Sequence, residues 1–507
     1  MERSGSLAPP RGFVRYGQPA GRKVLLAAVL GSAMVFVDAT VVNLALPRIG
    51  AELGGRAAEL QWIVNGYTLS LASLVLLGGS LGDRFGRRRV FALGVAWFAA
   101  ASLLCAIAPS ARALVAARVL QGVGGALLTP GALALLDSSF APSDRGRAIG
   151  AWSGLGGIAG ALGPFVGGWL VEAGSWRLVF LVNLPVAAVA LAVALRSVPE
   201  SRDPGASRRI DVAGAASAAV GLAGLTWGLT AWPARGATAP VVGALAAGVA
   251  GLVALVLVER EARDPMLPLG IFRSRTFAAA NLVTFAVYAA LGGVFFLAGL
   301  ELQVVIGFTP LAAGAALLPV TGLMLLLSPR AGGLAEAIGP RVPMTVGPLL
   351  CAAALFLLAR VGPGASYVGT VLPGVLVLGL GLSLTVAPLT ATALGSVDER
   401  HVGVASGVSN AVARAAGLLS VAALPLVAGL GGGSLMDPAA LAPAYRVSMH
   451  VCSGLMLAGA AIAAVGIPSR AAARRVRAEP PGPGRRASPA RFHCAVAGPP
   501  LHPRAAR

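Results

Sequence analysis

Three charged side chains interrupt long apolar runs in this sequence: Asp38, Arg118 and Arg414. A carboxyl group buried among apolar residues favours its neutral form, so Asp38 can take up a proton on one side of a barrier and release it on the other. An arginine that approaches Asp38 expels this proton, and its withdrawal lets the proton return. Asp38 and Arg118 therefore predict reversible proton binding. The alternatives are a permanently paired carboxylate and an arginine that only braces its helix.

The elements that hold these charges are predicted to be membrane-spanning helices. Hydrophobic residues make up 56% of the 507 residues, charged residues make up only 12%, and the mean hydropathy is +0.80. Soluble domains do not have this composition. A helix needs about 20 apolar residues to cross a bilayer, and runs of that length predict about fourteen helices. The predicted spans are 24–46, 60–81, 90–109, 112–136, 147–171, 178–196, 211–231, 239–258, 277–300, 311–329, 343–361, 366–391, 404–429 and 446–467.

The basic residues indicate how these helices are oriented. The net charge is +20, and most of the 40 Lys and Arg residues fall in segments that lie on the same side as Met1 if the helices alternate. By the positive-inside rule, both termini are then cytoplasmic. The charges are spread over short loops and a tail, so they do not form the basic face that nucleic-acid binding needs. The Pro- and Arg-rich residues 468–507 predict a disordered cytoplasmic tail suited to contact with anionic lipid.

Two similar loops indicate that the chain is built from repeated halves, as transporters often are. GGLAEAIGPR (332–341) matches GSLGDRFGRR (79–88) at its Gly, Leu, acidic, Gly and Arg positions. The two extra helices between the halves carry no charge in their apolar cores, and we expect them to face lipid or to tether the halves. The predicted units are a cytoplasmic segment at 1–23, a six-helix bundle at 24–196, a two-helix insert with polar connectors at 197–276, a second six-helix bundle at 277–467 and the tail at 468–507.

The loop from Gly79 to Val90 places five charged residues between two apolar runs. Its arginines can simply anchor the loop on the cytoplasmic side. Asp83 can also act as a gate, because it lies between two helices and can pair with an arginine in only one conformation. The repeated loop contains Pro340 and lacks most of the arginines, so a symmetric gate is not expected. The candidate gate residues are Gly79, Asp83, Arg84, Gly86, Arg87 and Arg88.

Other polar residues and glycines lie within the apolar runs. Asp38 lies roughly 12 Å and Arg118 roughly 9 Å below the outer surface if the helices rise about 1.5 Å per residue, so the two can meet. Arg414 has no evident acid at its depth, which suits coordination of backbone carbonyls or of an anionic group on a cargo. Gly156, Gly160, Gly163 and Gly167 share one face of the fifth helix and predict close packing there. Candidates for lining a cavity, or for linking helices, are Asn43, Asn65, Gln121, Asn183 and Arg414.

Four motifs resemble those of one transporter family. GSLGDRFGRRRV resembles the loop signature of the major facilitator superfamily. VDATVVNLALP (37–47), RVLQGVGGALLTP (118–130) and GLGGIAGALGPFVGGWL (154–170) resemble motifs of its fourteen-helix drug:proton antiporter branch, the EmrB/QacA type. The resemblance runs from about residue 24 to 467, and Glu301 stands where an aromatic residue is more usual. It implies an all-α integral membrane protein with two six-helix bundles plus two inserted helices. It also implies a fifth helix, bent at Pro164, that seals the central cavity in one conformation.

The deep charges and this resemblance together predict a secondary transporter that exports lipophilic drugs or antibiotics in exchange for protons by alternating access. A proton-coupled metabolite symporter and a non-transporting membrane sensor with the same fold are the alternatives. A single deep carboxylate in the first half favours neutral or singly cationic cargo over dications, while Arg414 leaves acidic cargo open. We expect a monomer in the bacterial plasma membrane whose partners are a small lipophilic substrate, protons and membrane lipid.

The sequence contains no motif that predicts an enzyme active site or a cofactor site. GLGGIA (154–159) fits a dinucleotide-binding pattern, but it lies inside an apolar span. Lys23 is the only lysine, and its surroundings do not form a phosphate-binding loop. The four cysteines have no metal-ligand spacing. We therefore expect no enzyme activity, no cofactor, no metal site and no nucleic-acid partner.

Overall fold

The computed structural model describes residues 13–54, 57–202, 211–262, 265–398, 402–430 and 435–469, without the side chains of 142, 143, 153, 154, 157, 161 and 402. Nearly all of the predicted tail, and residues 1–12 of the predicted N-terminal segment, lie outside these residues. The described chain is helical, and its β contact is a single bridge between Val14 and Phe140. The predicted all-α class is confirmed.

The α-helices follow one another with short connections. A 3₁₀ turn spans Leu269–Arg273, and π-helical turns span Glu301–Val305 and Tyr367–Val371. The α-helices are α1 Pro19–Leu53, α2 Ala57–Phe85, α3 Arg87–Ala106, α4 Ala111–Ser139, α5 Pro142–Ala173, α6 Leu178–Leu181, α7 Asn183–Ser197, α8 Val212–Arg235, α9 Ala239–Glu261, α10 Arg275–Leu300, α11 Pro310–Ala316, α12 Leu318–Ile338, α13 Arg341–Leu358, α14 Leu372–Gly395, α15 Val402–Val427 and α16 Pro438–Gly466.

The described residues contain 13 helical segments long and apolar enough to cross a membrane. Four of these segments join neighbouring elements: α6 with α7, α10 with the first π-turn, α11 with α12, and the second π-turn with α14. The remaining predicted span, 147–171, corresponds to α5, which includes residues whose side chains are not described; its apolar stretch Ile158–Ala173 is shorter. The multi-pass architecture therefore agrees with the apolar runs of the sequence.

The helices extend beyond the apolar runs that predicted them. α1 continues from the predicted end at Leu46 through Arg48 and Glu52 to Leu53. Gly54 ends it with φ +66°, and its amide donates to the Gly50 carbonyl. Hydropathy detects only the part of a helix in hydrocarbon, whereas the backbone hydrogen bonds continue until a residue in the left-handed conformation stops them.

The helices pack as two groups, which we call the first bundle (α1–α7) and the second bundle (α10–α16). In the first bundle, α4 packs against α2 and α3, and α1 packs against α5 and α7. In the second bundle, α10 and α13 pack against α16, and α14 packs against α12 and α13. The inserted helix α8 packs against α2 and α15, so it covers a seam between the bundles, and α9 packs on α8.

The two bundles contact each other at the side where the C-terminal end of α1 lies. Gly314 of α11 lies so close to α5 that a Cβ atom there would be 2.2 Å from the Pro164 carbonyl oxygen. Gln303 Nε2 donates a hydrogen bond of 3.1 Å to the Leu44 carbonyl of α1. Glycine therefore permits the close approach of α5 and α11, and these contacts join the two bundles at this side.

Candidate functional site: a buried ion pair beside a central cavity

Asp38 of α1 and Arg118 of α4 form an ion pair inside the first bundle. Arg118 Nη1 donates to Asp38 Oδ2 at 2.5 Å, and each residue is 1% exposed. Arg118 Nε also donates to the Ile63 carbonyl of α2 at 2.9 Å. The guanidinium lies 4.2 Å from the centroid of the Tyr67 ring, which gives a cation–π contact. The pair therefore ties α1, α2 and α4 together.

Gln121 completes the hydrogen bonding of this ion pair. Its Nε2 donates to Asp38 Oδ1 at 2.8 Å and to Ser102 Oγ at 2.9 Å, while its Oε1 accepts from Arg118 Nη1 at 2.6 Å. Asn183 Nδ2 donates to the same Ser102 Oγ at 3.3 Å. We call these five residues the Asp38 network. Both oxygens of the Asp38 carboxylate therefore accept hydrogen bonds from the network.

Close packing of α2 and α4 brings the network together. A Cβ atom on Gly122 would lie 2.3 Å from the Tyr67 carbonyl oxygen and 2.1 Å from Ser70 Oγ. Glycine at 122 therefore lets α4 approach α2 next to Gln121. Ser70 Oγ uses this approach to donate to the Val119 carbonyl at 2.8 Å. The small residues of the helix 4 motif thus position the arginine that precedes them.

A cavity of about 380 Å³ lies between the two bundles, within the size range of ligand sites. α1 and α2 of the first bundle and α10, α14 and α15 of the second bundle line it. Asn43 and Asn65 both line the cavity; Asn43 Oδ1 and both polar side-chain atoms of Asn65 are buried and lack a partner. Asn43 and Asn65 thus lie at the cavity with polar side-chain atoms that have no partner among the described residues.

Arg414 lies on the opposite wall of the cavity, on α15. Its Nε is buried and unpartnered, and within the described residues no hydrogen bond or ion pair reaches its guanidinium. Asn410, one turn earlier on the same wall, donates to the Ser406 carbonyl at 3.2 Å. A close approach of α10 and α15 fixes this wall, because a Cβ atom on Gly292 would lie 2.7 Å from Gly417 Cα. Arg414 is therefore an unpaired cation that faces a ligand-sized space.

The glycine face of α5 packs against α1. A Cβ atom on Gly156 or Gly160 would lie 3.4 Å or 3.5 Å from Phe36, which is ordinary contact. On Gly163 and Gly167 it would lie 2.2 Å from Thr40 and 2.5 Å from Val41. The four glycines thus follow the turns of α1 that flank Asp38, and they hold this stretch of α1 by close packing. Pro164, on the same helix, faces α11.

The charged segment from Gly79 to Val90 forms the end of α2 and the start of α3. Gly86 is the single residue between these two helices. Its φ of +111° favours glycine, and Gly339 occupies the matching junction of α12 and α13 with φ +94°. Asp83 pairs with Arg87 at 2.7 Å across this junction. Arg84 instead stacks on Phe85, with 4.9 Å to the ring centroid, and Gly79 contacts Pro130 of α4.

Glu200, just beyond α7, is the main partner of the remaining loop arginines. Its Oε1 accepts from the Arg88 amide at 3.1 Å, and Oε2 lies 3.6 Å from Nε of both Arg88 and Arg89. A Cβ atom at Gly86 would be 2.6 Å from Glu200 Oε1, so the glycine also makes room for this carboxylate. Two arginines of the charged segment therefore contact their own bundle through Glu200, a residue that sequence reasoning missed.

For Gln121 and Asn183 the sequence left two alternatives, lining a cavity or linking helices. The structure places both residues in the Asp38 network, where they link helices, and not among the residues that line the cavity. Ser102 of the network and Tyr67, whose ring lies against the Arg118 guanidinium, were not singled out from the sequence. The only sequence signal for Ser102 is a hydroxyl within an apolar run. Glu301 is fully buried in the first π-helical turn, and neither of its carboxylate oxygens has a partner among the described residues.

The chain is similar in sequence to a known family along most of its length. A family model described as "Major Facilitator Superfamily" matches residues 28–421. The tetracenomycin C resistance and export protein of Streptomyces glaucescens is 38% identical over 406 residues, which cover 79% of this chain and 74% of that protein. The puromycin resistance protein pur8 of Streptomyces alboniger is 37% identical over 464 residues, which cover 89% and 91%.

Solved structures share this fold. The POT family transporter PepTSo matches with a TM-score of 0.64 at 14% sequence identity, over 90% of this chain and 99% of that one. A bacterial homologue of the human lysosomal transporter Spinster, in an inward-facing and unoccupied conformation, matches with a TM-score of 0.59 at 19% identity, over 89% and 97%. At this identity the matches establish the arrangement of helices alone.

Proposed function

Because this chain belongs to the major facilitator superfamily, we propose that it is a secondary active transporter that exports lipophilic antibiotics or other drugs in exchange for protons by alternating access. The observation that carries this proposal is the fully buried Asp38–Arg118 pair, which lies next to a ligand-sized cavity between the bundles. Relatives that confer resistance to tetracenomycin C and to puromycin support antibiotics as the cargo class.

The protein is a multi-pass protein of the bacterial plasma membrane, since its relatives are bacterial and 13 helical segments can span a membrane. Members of the superfamily are transporters. We place both termini in the cytoplasm, because most Lys and Arg residues then lie inside. In this orientation the bundles close the outer side of the cavity through α5 and α11, and α5 is the seal of that side.

The Asp38 network links proton binding to the cavity through two helices. Asp38 is followed on α1 by Ala39 and Thr40, which line the cavity. The Ile63 carbonyl that accepts from Arg118 is followed on α2 by Val64 and Asn65, which also line it. A proton on Asp38 removes the carboxylate charge and leaves Arg118 without its counter-ion, which is costly in a buried site. Arg118 and the adjoining cavity wall then rearrange, so proton loading and cargo release are coupled.

The junction of α2 and α3 serves as the cytoplasmic gate. Asp83 and Arg87 hold the junction closed, and Glu200 holds Arg88 and Arg89 against the end of α7. All of these contacts lie within one end of the first bundle, so they form or break only when the ends of α2, α3 and α7 move relative to one another. The protein works as a monomer, since both the network and the cavity are complete within one chain.

Everted membrane vesicles with an acidified lumen provide the test. A panel of antibiotics, dyes and biocides is added, and lumenal acidity is followed in the wild type, in Asp38→Asn and in the matched control Asp137→Asn, whose side chain is 52% exposed. We expect cargo-dependent proton loss in the wild type and in Asp137→Asn, and none in Asp38→Asn. Full proton loss in Asp38→Asn would overturn the coupling. A cargo-driven gain of lumenal protons would identify a symporter, and no response to any compound would favour a sensor.

A further inference from the structure

The charge of the cavity identifies a class of cargo. Among the described residues that line it, Arg414 is the only one with a formal charge, and the remaining polar lining is made of amides and hydroxyls. Asp38 and Arg118 do not line the cavity, and they neutralise each other. The cavity therefore presents a positive charge and offers no carboxylate to a cationic ligand.

Arg414 is chemically suited to pair with an anionic group of a ligand in the cavity. Its guanidinium donates no hydrogen bond to the described residues and forms no ion pair with them, and Nε is buried. A buried charge without a counter-ion is unfavourable, so an incoming anion gains by pairing with it. Guanidinium binds carboxylate through two parallel N–H···O bonds, which favours a planar acidic group over a bulky one. Asn410, one turn away on the same wall, and Asn43 and Asn65 opposite offer further hydrogen bonds.

The remaining lining suits an aromatic body. Phe36 of α1 and Tyr288 and Phe295 of α10 provide aromatic surface, and leucines of α10, α14 and α15 also line the cavity. A volume of about 380 Å³ accommodates a compound of a few fused rings. Apolar surface around one charged group is the usual composition of a site that binds drug-sized ligands.

We propose that the cargo is an anionic aromatic compound whose carboxylate or phenolate pairs with Arg414 while its rings pack against Phe36, Tyr288 and Phe295. This inference rests on the proposed export function and narrows its substrate class. It reverses the preference for neutral or singly cationic cargo that a single deep carboxylate predicts, because that carboxylate is already paired with Arg118 and lies outside the cavity.

Two dyes that share one xanthene ring system test the charge preference directly. Fluorescein carries a carboxylate and a phenolate, and rhodamine 123 is a cation. Binding to the purified full-length protein is measured by fluorescence anisotropy in the wild type, Arg414→Met and Arg414→Lys. Arg330→Met is the matched control, since Arg330 is an exposed residue of α12 outside the cavity.

We expect the wild type and Arg330→Met to bind fluorescein at least about tenfold more tightly than rhodamine 123, equivalent to about 1.4 kcal/mol. Arg414→Met loses this preference for fluorescein. Arg414→Lys keeps part of it, because lysine retains the positive charge but lacks the planar guanidinium that binds a carboxylate through two hydrogen bonds. Tighter binding of rhodamine 123 by the wild type, absence of fluorescein binding, or unchanged fluorescein affinity in Arg414→Met would overturn the proposal. The wild-type preference gives a result even if a variant does not fold.

Transport of the same dyes separates this inference from the proposed function. Proton-driven uptake of fluorescein into everted vesicles supports both. Arg414-dependent binding of fluorescein without proton-driven uptake of any compound leaves the anion site intact and rejects export. Proton-driven uptake of rhodamine 123 in preference to fluorescein keeps export and rejects the anionic cargo.

Discussion

Among the described residues, the buried charged side chains are paired with each other in the first bundle and lack partners in the second. In the first bundle, Asp38 and Arg118 pair with each other and share Gln121, so every oxygen of the carboxylate is satisfied. In the second bundle, Arg414 and Glu301 each lack a partner among the described residues. In the proposed function this difference corresponds to a division of labour, in which the first bundle binds the proton and the second bundle carries the charge that meets the cargo.

Removing one member of the paired site should have the largest effect. Arg118→Leu leaves the Asp38 carboxylate buried with Gln121 as its remaining partner, and we expect a loss of about 3–5 kcal/mol in the free energy of unfolding. Thermal unfolding of the protein in detergent measures it. Arg112→Leu, on the same helix with a side chain 90% exposed, should change stability by less than about 0.5 kcal/mol. Equal stability of Arg118→Leu and the wild type would contradict a satisfied network in the first bundle.

Displacing α1 should have an intermediate effect on the paired site. Ala at Gly167 places its Cβ within 2.5–2.9 Å of three atoms of Val41, whose branched side chain has little freedom to move. We expect Gly167→Ala to cost about 1–3 kcal/mol and to lower proton-coupled export, because Asp38 lies one turn away on α1. Gly160→Ala is the matched control, with its new Cβ 3.5 Å from Phe36 Cβ. The packing account fails if both substitutions affect stability equally.

Neutralising an unpaired charge of the second bundle should stabilise the protein slightly. Glu301→Gln removes a buried carboxylate whose two oxygens have no partner, and we expect a gain of about 1 kcal/mol at neutral pH. The gain should shrink as the pH falls, because protonation neutralises Glu301 in the wild type as well. Chemical unfolding at several pH values measures both effects, with the exposed Glu336→Gln as control. A loss of stability at neutral pH would show that Glu301 has a partner in the folded protein.

The sequence predicts the membrane-spanning architecture because uncharged runs of about 20 residues have few other uses. It also brings Asp38 and Arg118 to the same depth, since helical rise converts residue number into height. It does not predict that Gln121 turns toward Asp38 rather than toward a cavity, because depth alone leaves the rotation of α4 about its axis undefined. Glu200 was missed for a related reason: it lies 112 residues from Arg88 in sequence, and only folding brings the two together.

The most direct test of the division of labour compares two transport modes in Asp38→Asn. Proteoliposomes are loaded with a compound that the wild type exports, and exchange of labelled for unlabelled compound is measured without a proton gradient; accumulation driven by a proton gradient is measured separately. We predict that Asp38→Asn retains the exchange, because Arg414 and the cavity are intact, and loses the proton-driven accumulation. Proton-driven accumulation at the wild-type rate in Asp38→Asn would contradict the central claim.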